Sequence, residues 1–151
     1  MNKKFDWEYG SLHKKEYDKK LLQKYPWLKF RNRWTGELIN LDGTELDNLD
    51  RGWRIAFGDE MVKAIDKLLV KYNYVDKYRI LQIKEKYGGL RWYTGSMPSK
   101  LFHKHNKLLS KYEKLSLKTC FYCGALTKYH TEGWILPVCE KRFKTGKCTG
   151  I

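Results

Sequence analysis

Four cysteines carry most of the chemistry that this chain could do, and all of them fall after residue 119. Cys120 and Cys123 stand in TCFYCG, followed at once by Gly124. Two thiolates three positions apart across a tight turn can share one tetrahedral metal ion, and a glycine lets the chain double back without a Cβ clash. Fifteen residues separate Cys123 from Cys139, and eight separate Cys139 from Cys148. The order suits a small zinc ribbon, with Cys120 and Cys123 from one knuckle and Cys139 and Cys148 from the other. The second knuckle is irregular, because Arg142 stands where a regular one has its second cysteine. Two completions of the site are open. Cys148 loops back across an enlarged turn that contains Gly146, or His130 supplies the fourth ligand. The all-cysteine set leaves no coordination position for water, so the expected Zn2+ is structural. A redox role fits poorly: a thioredoxin-like CxxC opens a helix after a strand, whereas this one follows a helical pattern and precedes a glycine turn.

A hydrolytic metal is the other chemistry to weigh. A cysteine-bracketed HNH-type nuclease needs a histidine base and further His or Asn ligands. Between Cys123 and Cys139 the chain offers His130 alone, with no Asp or Asn. His103, His105 and Asn106 cluster earlier, and His105 falls on an apolar stripe that marks it as a core residue. The expectation is a non-enzymatic protein, with a metal nuclease as the lesser alternative.

The second chemistry is charge. The 151 residues carry 31 Lys+Arg against 17 Asp+Glu, a net +14. Residues 99–151 hold +8 of this, while residues 41–76 are net −3. Such an excess suits an acidic partner: nucleic acid, an acidic protein surface or anionic lipid. A ladder of Lys104, Lys107, Lys111, Lys114 and Lys118 steps by three and four residues, one face of a helix, and could follow a phosphate backbone. A solvated helix face reads the same way. Lys84, Lys86 and Arg91 gather about a turn beside Trp92 and Tyr93, a pattern that can grip phosphates and stack on bases; the alternative is that Trp92 and Tyr87 pack on the helices. MNKKFDWEYGSLHKK has no apolar run of a secretion signal, and no stretch is long enough to span a membrane. A cytoplasmic setting is expected, where a CxxC with two further cysteines favours metal over disulfide.

The elements that must position these groups follow from periodicity. Residues 11–25 read as a helix with Leu12, Tyr17, Leu21, Leu22 and Tyr25 on one side, ended by Pro26. Residues 31–53, with Gly36, Gly43 and Gly52, read as a long, partly ordered acidic connection. Residues 57–72 read as a helix capped by Asp59, burying Met61, Val62, Ile65, Leu68, Leu69 and Tyr72. Residues 78–95 read as a hairpin turning at Gly88-Gly89. Residues 100–118 read as the lysine-bearing helix, with Leu101, His105, Leu108, Tyr112 and Leu115 inward and Phe102 and Leu109 widening that stripe. The result is an α+β fold: a helical and hairpin core over 1–118 and a zinc-ribbon module over 119–151 packed on it.

Three stretches in this order, GDEMVKAIDKLL (58–69), LQIKEKYGGLRWY (81–93) and TCFYCGAL…GWILPVC (119–139), resemble a family of small phage and bacterial zinc-ribbon proteins. The resemblance covers roughly residues 55–142, and its most specific part is IKEKYGGLRWY. It implies ligand roles for Cys120, Cys123 and Cys139. The chain departs from the family pattern at Arg142, where the family has its fourth cysteine. The resemblance implies a fold and a phage setting, and no reaction. The function expected is binding of nucleic acid or of a host nucleic-acid-handling complex. The alternative is a phage inhibitor of a bacterial defence or transcription protein, acting by protein–protein contact.

Overall fold

The computed structural model describes residues 11–148. Residues 1–10, including most of the stretch read above for a secretion signal, and residues 149–151 lie outside it. Helix α1 spans Leu12–Lys24, with the Ser11 side chain accepting from the Lys14 N–H at its start and Tyr25 closing it ahead of Pro26. Of its expected apolar side, Leu21 and Leu22 pack against the core and Tyr25 is buried in it. Leu12 is 70% exposed, and the buried residue of the helix is Asp18. Asp18 accepts from Lys14 Nζ at 2.5 Å; Lys14 also reaches Asp47 at 3.0 Å, and Asp47 accepts from Arg54 at 2.7 Å. Burial raises the Asp18 pKa even so, whereas Asp47 is held low against its burial by the Thr44 N–H and by Arg54. Removing one partner of such a buried network costs several kcal/mol (about 3–5), because it strands the other charge.

This network also explains why residues 31–53 are ordered. Thr44 caps a single 3-10 turn, Glu45–Asn48, in a reciprocal box with Asp47. Leu46 within it and Leu49 just after it enter the core. Part of the acidity of residues 41–76 is thus spent inside the molecule.

A continuous helical run follows: α2 (Arg51–Trp53), a π-helical turn (Arg54–Gly58) and α3 (Asp59–Lys71). Asp59 therefore lies inside the helical run and does not cap it; Asp50 stands at its start. Met61, Val62, Ile65 and Leu69 are buried as the spacing requires. Strands β1 (Ile80–Lys86) and β2 (Gly89–Thr94) form an antiparallel hairpin. Its turn is one residue earlier than expected. Tyr87 (φ 54°) and Gly88 (φ 81°) are the two positive-φ residues of a type I′ turn, and Gly89 is a paired strand residue against Lys86. An aromatic residue in this conformation costs about 1–2 kcal/mol.

Helix α4 (Ser99–Ser116) packs across α3 and β2. The core between them is built from Trp53, Tyr78, Leu90, Trp92, Leu101, Leu109 and Tyr112. Trp92 is a core residue, which removes it from the expected exposed aromatic grip. Its indole N–H donates to the Tyr78 hydroxyl, which pairs in turn with His105 Nε2 at 2.6 Å. His105 is thus the core histidine its position suggested, and burial pushes its pKa down to about 4. Phe102, expected to widen the buried stripe, is 45% exposed.

After α4 the chain makes two short hairpins, bridged at Thr119↔Leu126 and His130↔Pro137, then helix α5 (Glu140–Thr145). This C-terminal ribbon contains the second buried cluster of the molecule, made of cysteines. No helix among the described residues is long and apolar enough to cross a membrane.

Candidate metal centre and basic surface

The first hairpin of the ribbon is a knuckle. The Cys120 N–H donates to Ala125 O at 2.7 Å and the Gly124 N–H to Cys120 O at 3.0 Å, with Gly124 at φ 82°. Its back lies directly on α2. The Gly52 N–H donates to Phe121 O at 2.9 Å, and a Cβ on Gly52 would stand 2.0 Å from the Cys120 carbonyl oxygen. Trp53 Nε1 donates to Thr119 O, and the Trp53 and Phe121 rings meet edge-to-face at 5.3 Å. Phe121 thereby plugs into the main core while its neighbours Cys120 and Cys123 face the ribbon.

The other two sulfurs arrive from either end of α5. Cys139 is its N-cap, its Sγ accepting from the Arg142 N–H at 3.4 Å. Gly146 ends the helix in the left-handed conformation (φ 79°), and the chain turns back to bring in Cys148. The four Sγ atoms all lie within 4.8 Å of one another. Cys148 Sγ is 3.8 Å from Cys120 Sγ and 3.6 Å from Cys139 Sγ, far beyond the roughly 2 Å of a disulfide. All four are free thiols gathered into a set that could hold one metal ion.

His130 is elsewhere. It is exposed, and its Nε2 donates to Leu117 O at 3.1 Å.

Electrostatics at the cluster favour one thiolate and oppose the next. Burial opposes ionisation of Cys120, but the N–H groups of Cys123, Tyr122 and Cys139 outweigh it and bring the thiol down to about 7. Cys123 is pushed up to about 12 by burial and by the neighbouring Cys120 sulfur, and burial also raises Cys148. One thiolate forms readily and the next resist; a cation between them would remove that resistance. Arg142 is the residue that sequence reasoning undervalued. Its guanidinium lies 3.4 Å above the Tyr122 ring, with Nη1 3.9 Å from Cys148 Sγ. The residue in the missing cysteine's place therefore packs its positive charge against the sulfur that replaces it.

The basic groups are placed as follows. Lys104, Lys107, Lys111 and Lys114 on α4, and Lys118 just beyond its end, are all exposed. Lys111 makes a loose 3.5 Å pair with Glu60. On the hairpin, Lys84 and Arg91 are cross-strand partners on the face opposite Ile83 and Trp92. Both are half-buried, and Arg91 donates to Leu90 O at 3.0 Å. Lys86 is exposed, 5.6 Å from the Tyr87 ring. Tyr87 itself is 73% exposed and does not pack on the helices. Comparison of the chain with models of known protein families, with curated proteins and with solved structures gave no match.

Proposed function

We propose that this protein is a non-enzymatic nucleic-acid-binding module whose ribbon is held by one structural Zn2+ on Cys120, Cys123, Cys139 and Cys148. Zinc is favoured by the donor set. Four sulfurs about 2.3 Å from a tetrahedral zinc lie about 3.8 Å apart, which the 3.8 and 3.6 Å separations approach. Four thiolates saturate the ion, so it acts as a staple and not as a hydrolytic centre.

The observation that carries the binding reading is the row of five exposed lysines along and just past α4. The helix buries its opposite side on α3 and β2, so the row has a fixed pitch and direction before any partner arrives. A +14 chain with such a row attracts a polyanion and releases its counterions on contact. The protein acts in this reading as a phage-encoded, cytoplasmic factor that occupies DNA or RNA, or the nucleic-acid path of a host complex.

The test is fluorescence anisotropy of the zinc-loaded protein with labelled DNA and RNA across a salt series. Affinity should fall steeply with salt. The combined Lys104→Glu, Lys107→Glu and Lys111→Glu variant should flatten the log–log slope by about 2–3, close to one unit per phosphate contact removed. Negligible wild-type binding at physiological salt would overturn the reading. It would leave the basic surface to protein docking, the mode of a phage inhibitor, to be sought by co-purification with a host protein.

A further inference from the structure

Three large exposed side chains meet at one place that the lysine row does not include. The hairpin turn, carrying Tyr87, abuts the ribbon loop that carries Trp134 and Ile135. These three are 73%, 76% and 48% exposed. The contact between the two segments is close: a Cβ on Gly88 would lie 3.1 Å from the Ile135 carbonyl oxygen. Between them is an open slot of about 380 Å³, walled by Tyr87, Trp134 and Ile135 and edged by Lys84 and Lys86.

Apolar burial does not account for these exposed side chains. Tyr87 occupies a left-handed backbone position that Gly or Asn takes at lower cost, and it gains little burial there. Trp134 covers no core, yet it is held in place. Its indole N–H donates to Glu85 Oε2 at 3.1 Å, while Glu85 Oε1 accepts from the Gly88 N–H at 2.8 Å. One carboxylate thus locks the indole to the hairpin turn. The loop behind it is pinned by Thr131, whose hydroxyl donates to Trp134 O and accepts from the Leu136 N–H. Leu117, at the end of the lysine row, packs against Gly89 beside the same turn, and its carbonyl receives His130 Nε2. The slot therefore lies where the row ends.

We infer that this junction binds unpaired bases, with Tyr87 and Trp134 as stacking faces and Lys84 and Lys86 on the phosphates, so that single-stranded nucleic acid is the preferred substrate. This rests on the proposed nucleic-acid reading and narrows it. Fixed aromatic faces beside ammonium groups recognise bases through their π-faces, without sequence preference. In a duplex those faces are already stacked on one another, so a duplex can use only the lysines.

The experiment compares oligo-dT with a duplex of equal length, by anisotropy at matched salt, for the wild type, Tyr87→Asn and Trp134→Ala. Asparagine suits the turn's positive φ, so Tyr87→Asn keeps the hairpin even if Trp134→Ala loosens the loop. The wild type should prefer oligo-dT. Each variant should lose about tenfold in oligo-dT affinity, with the salt slope and the duplex affinity unchanged. Quenching of tryptophan fluorescence by oligo-dT should shrink in Trp134→Ala. Wild-type binding that is equal on both ligands, or that Tyr87→Asn leaves intact, overturns this inference alone. Wild-type binding to neither ligand overturns it together with the reading on which it rests.

Discussion

Single residues decide both the metal set and the acid response. Sequence spacing left Cys148 and His130 as rival fourth ligands, because periodicity cannot say how an eight-residue stretch returns. The return depends on α5 being just long enough, and on Gly146 turning the chain at its end. With His130 spent on Leu117 O, His130→Ala should leave zinc stoichiometry and affinity unchanged, whereas Cys148→Ser should weaken zinc binding at least tenfold, since losing even a hydrogen-bond partner of a ligand costs about that much. Competition with a chromophoric chelator reads both, and a Cys148→Ser protein that keeps wild-type affinity would overturn the four-cysteine set. His105 makes a second prediction. Its pKa is about 4 in the fold against 6.5 when free, because it is buried. The unfolded chain therefore takes up a proton between pH 6.5 and pH 4 that the native state refuses. The stability this represents is full above pH 6.5 and is lost as pH falls; at pH 5 the loss is about 2 kcal/mol. His105→Phe leaves the buried Tyr78 O–H without its acceptor and should cost about 1–3 kcal/mol at pH 7. It also abolishes the proton uptake, so the gap between variant and wild type should close by about 2 kcal/mol at pH 5. Urea denaturation at the two pH values measures this; a gap of constant size would refute the assignment.

At the scale of elements, what the sequence revealed and what it hid have separate physical reasons. Helices α3 and α4 were legible because each buries one continuous apolar face, and the hairpin because its strands flank a glycine pair. The one-residue error at the turn came from Tyr87, which an argument from glycine's freedom could not anticipate at positive φ. Residues 31–53 looked only partly ordered because polar groups hold them in place: Asp47 ties the 3-10 turn to Lys14, 33 residues away, and to Arg54. Gly52 was noticed only as a turn residue. It sits in a helix, where alanine would ordinarily gain about 1 kcal/mol. Here the gain is outweighed, since the new Cβ would stand 2.0 Å from a backbone oxygen of the knuckle and would force α2 and the knuckle apart. Gly52→Ala should destabilise the zinc-loaded protein by about 3 kcal/mol or more, and should disturb the Trp53–Phe121 contact seen in near-UV circular dichroism. Gly133→Ala is the matched control. That glycine has open space around it and only a positive φ to strain, so about 1 kcal/mol is expected. Equal effects of the two substitutions would mean that the α2–knuckle contact is not the constraint described.

The molecule as a whole has two unequal sources of stability. The larger cluster runs from Tyr25 to Tyr112 and takes in α3, the hairpin and α4, whereas the smaller one is made of cysteines with Tyr122 packed against them. Apolar burial can hold the first without help; the second has little apolar surface to remove from water, and in it Cys123 and Cys148 resist ionising beside Cys120. In the proposed reading, binding energy from the ion would be folding energy for the ribbon, and for little else. The two parts are joined through Gly52, Trp53 and Phe121, so loss of the ion should be felt at the joint but should stop there. Stripping the metal with a strong chelator should speed amide exchange across 119–148 by orders of magnitude while 61–69 and 101–112 stay protected. It should lower the melting temperature but leave most of the helical circular dichroism in place, because α5 contributes six residues while α3 and α4 contribute 13 and 18. Lysine-driven binding to duplex DNA should survive in part, since the row from Lys104 to Lys114 rides on α4. Base stacking at Tyr87 and Trp134 should disappear, because Trp134 belongs to the ribbon. A chelated protein that unfolds cooperatively from end to end would show instead that the ribbon staples the core as well as itself.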